Sequence, residues 1–175
     1  MKNNEVIDTI MDHKSIRDYT DEEPSEETIK TIVRAGQQAP FVSQLYSVVY
    51  TRDKDKIPFG APVMFTICVD AHKLELFMEK RGWDLVTNDM TLLLFGIQDA
   101  SYMAQNMVTA ARSLGLGSCF LGGAIHKVGK LKEDYDLPDK VFPLVQLTVG
   151  YPAENPTRRP RYPMDFVLFE EGYPD

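Results

Sequence analysis

The stretch NDMTLLLFGIQDASYMAQNMVTAARSL, residues 88–114, decides the fold class of this chain. Leu93, Ile97, Ala100, Ala104, Met107, Ala111 and Leu114 recur at alternating spacings of four and three, which places them on one face of an α-helix. A second row, Met90, Leu94 and Ile97, widens the covered face. A helix of roughly 25 residues that is apolar on most sides, with Ala and Gly throughout, is a central core helix and suits a subunit contact. Gly115 is placed to end it in a left-handed cap.

Toward the C-terminus, Ser118–Leu121 reads as a short strand, followed by the turn Gly122-Gly123. Ile125–Tyr135 reads as a helix, Pro143–Val149 as a strand, Pro152–Pro163 as a Pro/Arg-rich loop and Phe166–Phe169 as a last strand. Toward the N-terminus, Leu74–Lys80 is a short helix. Pro62–Val69 is a strand apolar nearly throughout, so it is central and covered on both faces. Asp53–Gly60 is turn-forming, and Leu45–Thr51 is a strand rich in Val and Tyr. Pro24-Ser25-Glu26-Glu27 announces a helix: Ser25 caps it, and the glutamates sit at the positive end of its dipole. Its stripe runs through Ile29, Ile32, Val33 and Gly36, and Pro40 stops it. Glu5–His13 forms a first helix with Val6, Ile7, Ile10 and Met11 on one face. Helices and strands mix without strict alternation, which predicts an α+β fold around a central, mainly antiparallel sheet. No repeat or linker divides the chain, and 175 residues can bury one core, so 1–175 is expected to be a single domain.

With 43% apolar and 26% charged residues, the composition is that of a globular protein rather than a disordered one. The net charge of −7 argues against general nucleic-acid binding, yet permits a local basic pocket for one anion. Met1-Lys2-Asn3-Asn4-Glu5 precedes no apolar stretch, so no secretory leader is expected. The longest apolar runs, Ala61–Val69 and Leu92–Ile97, fall short of the roughly 20 residues a membrane span needs. Cys68 and Cys119 lie inside apolar strand-like runs and read as buried, reduced thiols, which suits the cytoplasm.

The common chemical motifs fail. His13, His72 and His126 are far apart, and no Cys or His pair has metal-binding spacing. Gly115-Leu116-Gly117 precedes a strand, whereas a dinucleotide fingerprint follows one, so that the pyrophosphate can sit on a helix N-terminus. Nucleophile-elbow and P-loop sequences are absent.

Two basic groups remain: His13-Lys14-Ser15-Ile16-Arg17 and Arg158-Arg159-Pro160-Arg161. Each alone reads most simply as a solvated surface run. In an extended backbone, however, His13, Ser15 and Arg17 point to one side and Lys14 and Ile16 to the other. Arg159 and Arg161 repeat that alternation across a stiffening proline. Guanidinium groups bind phosphate through paired donors, and a serine adds a short one. Brought together, the two rows would grip a phosphate ester.

The segments HKSIRDYTDE (13–22), Gln98-Asp99 through Ser101–Asn106, SLGLG (113–117), LGG (121–123) and GYPA (150–153), with Asn155-Pro156 and Arg159-Pro160-Arg161, carry a resemblance over most of the chain. In this order they resemble the FMN-dependent nitroreductase family, closest to its oxygen-insensitive, flavin-reductase-like branch. The resemblance implies an intertwined homodimer with FMN at the interface, and a ping-pong cycle in which hydride passes from NAD(P)H through FMN to a small organic acceptor such as a nitroaromatic or quinone. It implies FMN phosphate and ribityl ligands at His13, Ser15, Arg159 and Arg161, with Lys14 also cofactor-binding, and a cation, Arg17, beside N1 and O2 of the ring. Gly122-Gly123, entered from Leu121, would be the turn that passes close to the flavin. Phe41, Val42 and Ser43 would reach it from the partner subunit. A cation near N1 stabilises negative charge on the reduced ring, so no catalytic residue of the protein's own is expected.

The sequence also departs from the family. Phe41-Val42-Ser43-Gln44 stands where a Ser-Ser-x-Asn-x-Gln pattern is common. Asp53–Gly60 stands where an extra helix is usual, and the branch's long C-terminal extension has no counterpart here. Trp83 could line the resulting cleft or simply pack. Two further readings stay open: a flavin carrier or redox sensor without nicotinamide turnover, and an α+β module with no cofactor.

Overall fold

The computed structural model describes residues 4–174; Met1, Lys2 and Asn3, read above for a leader, lie outside them. In chain order the elements are α1 (Glu5–Met11), α2 (Glu26–Gln37), β1 (Tyr46–Thr51), β2 (Val63–Asp70), α3 (His72–Arg81), α4 (Asp89–Ser113), β3 (Gly117–Leu121), α5 (Val128–Asp134) and β4 (Val141–Gly150). The strands form one sheet in the order β1-β2-β4-β3, and every pairing is antiparallel. The α+β expectation therefore holds. All eight residues of β2 are buried, as expected of a central strand with both faces covered.

α4 is the long helix expected from its spacing. Asn88 caps it by accepting the Thr91 N–H at 2.9 Å, and Gly115 leaves it at φ +79°, in the left-handed region. Ala100, Ala104, Met107 and Ala111 are buried in a core shared with Phe65, Ile67, Leu147 and Val149 of the sheet and with Ile29 and Ile32 of α2. Glycine sets the depth of this packing. A Cβ at Gly96 would lie 2.3 Å from Cγ1 of Val69 on β2, and one at Gly36 of α2 would lie 2.7 Å from Cγ of Met107.

Several elements differ from expectation. Met90 and Leu94, read as widening the covered face, are more than half exposed, and α1 likewise leaves Val6, Ile10 and Met11 open. α1 ends at Met11 rather than His13. The helix expected from Ile125 opens instead as a 3-10 turn, Gly122–His126, before α5 begins. β4 starts earlier than Pro143, because a register shift opposite Ile67 and Cys68 accommodates a residue that has no N–H. Phe166–Phe169 is not a strand: Met164–Phe166 forms a 3-10 turn after Pro163, and the segment pairs with no strand. Between β1 and β2 only the 3-10 turn Pro58–Gly60 intervenes, in agreement with the absent helix. Among the described residues, no helix is long and apolar enough to cross a membrane.

A second core cluster lies on the other side of the sheet, where Ile16, Tyr19, Ile57, Ala61 and Met64 pack with Leu121, and a smaller third one gathers Leu45, Ala71 and Leu92. The second cluster matters because it carries the chain from α1 past the end of the sheet. The Ile16 N–H donates to the Ser118 carbonyl at 2.9 Å, and the Thr20 N–H to the Tyr151 carbonyl at 2.9 Å. The Tyr19 hydroxyl donates to the Ile16 carbonyl at 2.7 Å and pairs with the Thr148 hydroxyl at 2.9 Å. Residues 15–20 are thereby wedged between β3 and the segment that follows β4.

Candidate functional site

That wedge brings the two basic rows together. His13, Lys14, Ser15, Arg17, Pro156, Thr157, Arg159 and Arg161 line one cavity of about 300 Å³. Among the described residues no carboxylate lines it, although the chain carries a net charge of −7. Ile16 is 1% exposed and points into the core, so alternation about it turns Ser15 and Arg17 outward. Lys14 also lines the cavity and does not follow Ile16 to the other side. The His13 N–H still bonds the Ile10 carbonyl, so the backbone becomes extended only after it.

Loop 153–161 closes the cavity through ties to the first row. The Ala153 N–H donates to the Asp18 carbonyl at 3.0 Å, Glu154 accepts the Arg17 N–H, and Asn155 accepts from the Lys14 ammonium. Arg161 donates to the Arg159 carbonyl at 2.9 Å, which folds the loop around Pro160. Arg158 turns away and donates to the Met11 carbonyl at 3.0 Å, outside the cavity lining. The His13 pKa is lowered below 6.5, first by burial and then by the charge of Arg161. An anion in the cavity would relieve the second cause.

Leu121, Gly122 and Gly123 are not among the lining residues, but β3, which Ser15 meets at Ser118, delivers the chain to them. A Cβ at Gly122 or Gly123 would meet nothing within 4 Å, so among the described residues no neighbour demands glycine there. Phe41, Val42 and Ser43 are exposed and line no part of the basic cavity of their own chain. Trp83 is also elsewhere: it packs edge-on to Phe77 at 6.3 Å, with the Arg81 guanidinium 5.0 Å from its ring. Cys68 and Cys119 are buried free thiols, and burial pushes the Cys68 thiol up to about 12.

Sequence reasoning gave no role to Pro156, Thr157 or Asp99. The first two follow Asn155 on the loop and complete the cavity wall. Asp99 is fully buried in α4 and accepts backbone N–H groups of Val42, Ser43 and Leu45 at 2.7, 3.1 and 3.0 Å. A carboxylate on the buried face between Gly96 and Met103 was the signal available.

Known proteins resemble this chain in sequence and in fold. The nitroreductase family model matches residues 10–57 and 49–151, and the two stretches meet where the β1–β2 connection is short. A Cr(VI) reductase of Pseudomonas sp. (strain G-1) is 35% identical over 96% of this chain and 75% of its own length. An FMN reductase (NADPH) of Bacillus subtilis (strain 168) is 33% identical over 97% of this chain and 75% of its own. The structure of B. megaterium NfrA2 superposes with a TM-score of 0.93 at 34% identity, covering 98% of this chain and 76% of that one. The first basic row lies within the matched residues and the second beyond them, the shared fold spans nearly all of this chain, and the chain belongs to the nitroreductase family.

Proposed function

We propose that this chain is an FMN-dependent oxidoreductase that passes hydride from NAD(P)H to a small organic acceptor such as a nitroaromatic or quinone. The observation that carries the reading is the cavity lined by His13, Lys14, Arg17, Arg159 and Arg161, with no carboxylate in its walls among the described residues. Such a site suits the phosphate monoester of FMN: planar guanidinium forks match phosphate oxygens, and the Ser15 hydroxyl and the His13 ring add short donors. When bound, FMN supplies two-electron hydride chemistry.

The protein's own part is binding and orientation. Arg159 and Arg161 would hold the phosphate, and Arg17 would supply a cation to the ring. Gly122-Gly123, entered from Leu121, leaves open space for the flavin to approach the backbone. Phe41, Val42 and Ser43 cover the flavin of a second copy. The homodimer is supported by apolar side chains that α4 leaves exposed, among them Met90, Leu94, Phe95 and Tyr102. The two buried thiols suit a cytoplasmic setting.

Purified protein should be yellow and should bleach anaerobically when NADPH is added. A colourless protein that does not bind added FMN overturns the reading. A yellow protein that neither NADH nor NADPH bleaches would make it a flavin carrier or sensor. Arg161→Ala should weaken FMN retention by about tenfold or more, the order of one charge-assisted contact, while Arg158→Ala stays within about threefold. Equal losses would refute the assignment of Arg161 rather than Arg158 to the cavity.

A further inference from the structure

The loop between α2 and β1 is exposed, yet a buried carboxylate holds it. Oδ1 of Asp99 accepts the Val42 N–H at 2.7 Å, and Oδ2 accepts those of Ser43 and Leu45 at 3.1 and 3.0 Å. Asp99 is 0% exposed, and among the described residues no Lys, Arg or His pairs with it. Buried carboxylates ordinarily have a cation partner or a full set of donors, and here three backbone amides are the donors.

The loop departs from ordinary backbone to supply them. Gln44 sits at φ +54°, a left-handed conformation that is unfavourable for a non-glycine residue. The kink makes a concavity of backbone N–H groups, of the kind that elsewhere receives free anions. Gln44's carbonyl turns back to accept the Tyr46 N–H at 2.8 Å, and Leu45's accepts that of Asp70 at 3.0 Å. Held at both ends, the loop keeps Phe41 and Val42 about half exposed, although both are apolar. A simple connector needs neither a buried charge nor a left-handed glutamine.

We propose that Asp99 is a positioning residue for the hydride-transfer reaction. From inside α4 it fixes the Phe41–Leu45 loop in one conformation, so that a preorganised apolar edge, not a mobile loop, covers the flavin of the second copy. This rests on the reading above that Phe41–Ser43 reaches that flavin. The aspartate is specific to the task. An asparagine would turn an NH2 group toward at least one N–H donor, and a glutamate would push an extra methylene into a packed helix face.

Amide hydrogen exchange of the protein as purified tests the anchor without any mutation. The amides of Val42, Ser43 and Leu45 should exchange at least about a hundredfold more slowly than that of Gln44, which has no acceptor among the described residues. Equal, fast exchange at all four positions overturns the proposal, whatever the flavin does. In Asp99→Asn, exchange at those three amides should rise at least about tenfold while the β2 amides of Val63–Val69 stay unchanged. With NADPH and benzoquinone as substrates, the same variant should raise KM about fivefold and leave kcat within about twofold, the signature of lost uniform binding. Phe41→Ala should raise KM similarly, and the double variant should be no worse than either single one, because both remove the same surface. If Phe41→Ala shifts KM and Asp99→Asn does not, the positioning role is wrong and the flavin-covering loop stands. If Phe41→Ala changes neither KM nor the flavin spectrum, the reading beneath the proposal is what fails.

Discussion

His13 closes the last turn of the first helix and opens the basic row, and two causes act on its ring in the same direction. Burial disfavours the imidazolium, and the charge of Arg161 adds to that, so the folded chain takes up this proton only below the ordinary value of 6.5. The unfolded chain takes it up near 6.5. Between those two values the unfolded state binds more protons, so stability rises with pH across that window and is lost as the solution is acidified through it. Above about pH 7.5 the ring is neutral in both states and contributes no slope. Denaturant midpoints of the FMN-free protein should therefore fall on acidification, and His13→Gln should flatten that acid limb. Identical acid limbs in the two proteins would remove His13 from this account. Binding of a phosphate monoester opposes the Arg161 cause, so FMN should move the ring titration, followed by NMR, upward in pH.

At the scale of elements, α4 shows which features are legible in a sequence. Its length, its Asn88 start and its Gly115 end follow from local rules of spacing and capping, as does the fully buried β2. The exposure of Met90 and Leu94 does not, because periodicity marks an apolar face without saying whether the same chain covers it. Phe166–Phe169 failed for a related reason. A strand needs a hydrogen-bonding neighbour, and Ser15 and Ile16 already meet the outer edge of β3 at Ser118. Glycine packing on α4 gives a quantitative test. Gly96→Ala gains about 1 kcal/mol of helix propensity but drives a Cβ into the stiff, β-branched Val69, where overpacking costs about 1–3 kcal/mol. Gly36→Ala meets mainly the flexible Met107 and Met103 side chains, which can yield. Urea midpoints should therefore drop for Gly96→Ala and drop less, or not at all, for Gly36→Ala. The reverse order would mean that α4 does not rest on β2 as closely as described.

At the scale of the whole molecule, the basic rows were legible as residues, but their meeting was not, because it depends on residues 15–20 being wedged between β3 and the loop after β4. The family resemblance supplied that pairing; spacing alone could not. Asp99 left even less trace, since its partners are backbone amides more than fifty residues away and backbone amides have no sequence signature. The exposed apolar side chains of α4 pose the last question, which is what covers them. A second copy answers it economically: in a two-fold interface each residue is buried twice, so a half-exposed leucine contributes about 1.5–3 kcal/mol to the dimer. Leu94, 54% exposed in the chain alone, is the position at which to break such a contact. The unmodified protein should sediment at twice its 19.9 kDa chain mass with flavin bound. Leu94→Glu should sediment as one chain, keep its helical circular dichroism because the side chain is outside the core, and lose FMN because Phe41–Ser43 of the second copy no longer covers it. A Leu94→Glu protein that stays dimeric would move the interface to another face. A single wild-type chain that retains FMN would show the site to be complete without a partner, and the loop that Asp99 anchors would then have to act within its own subunit.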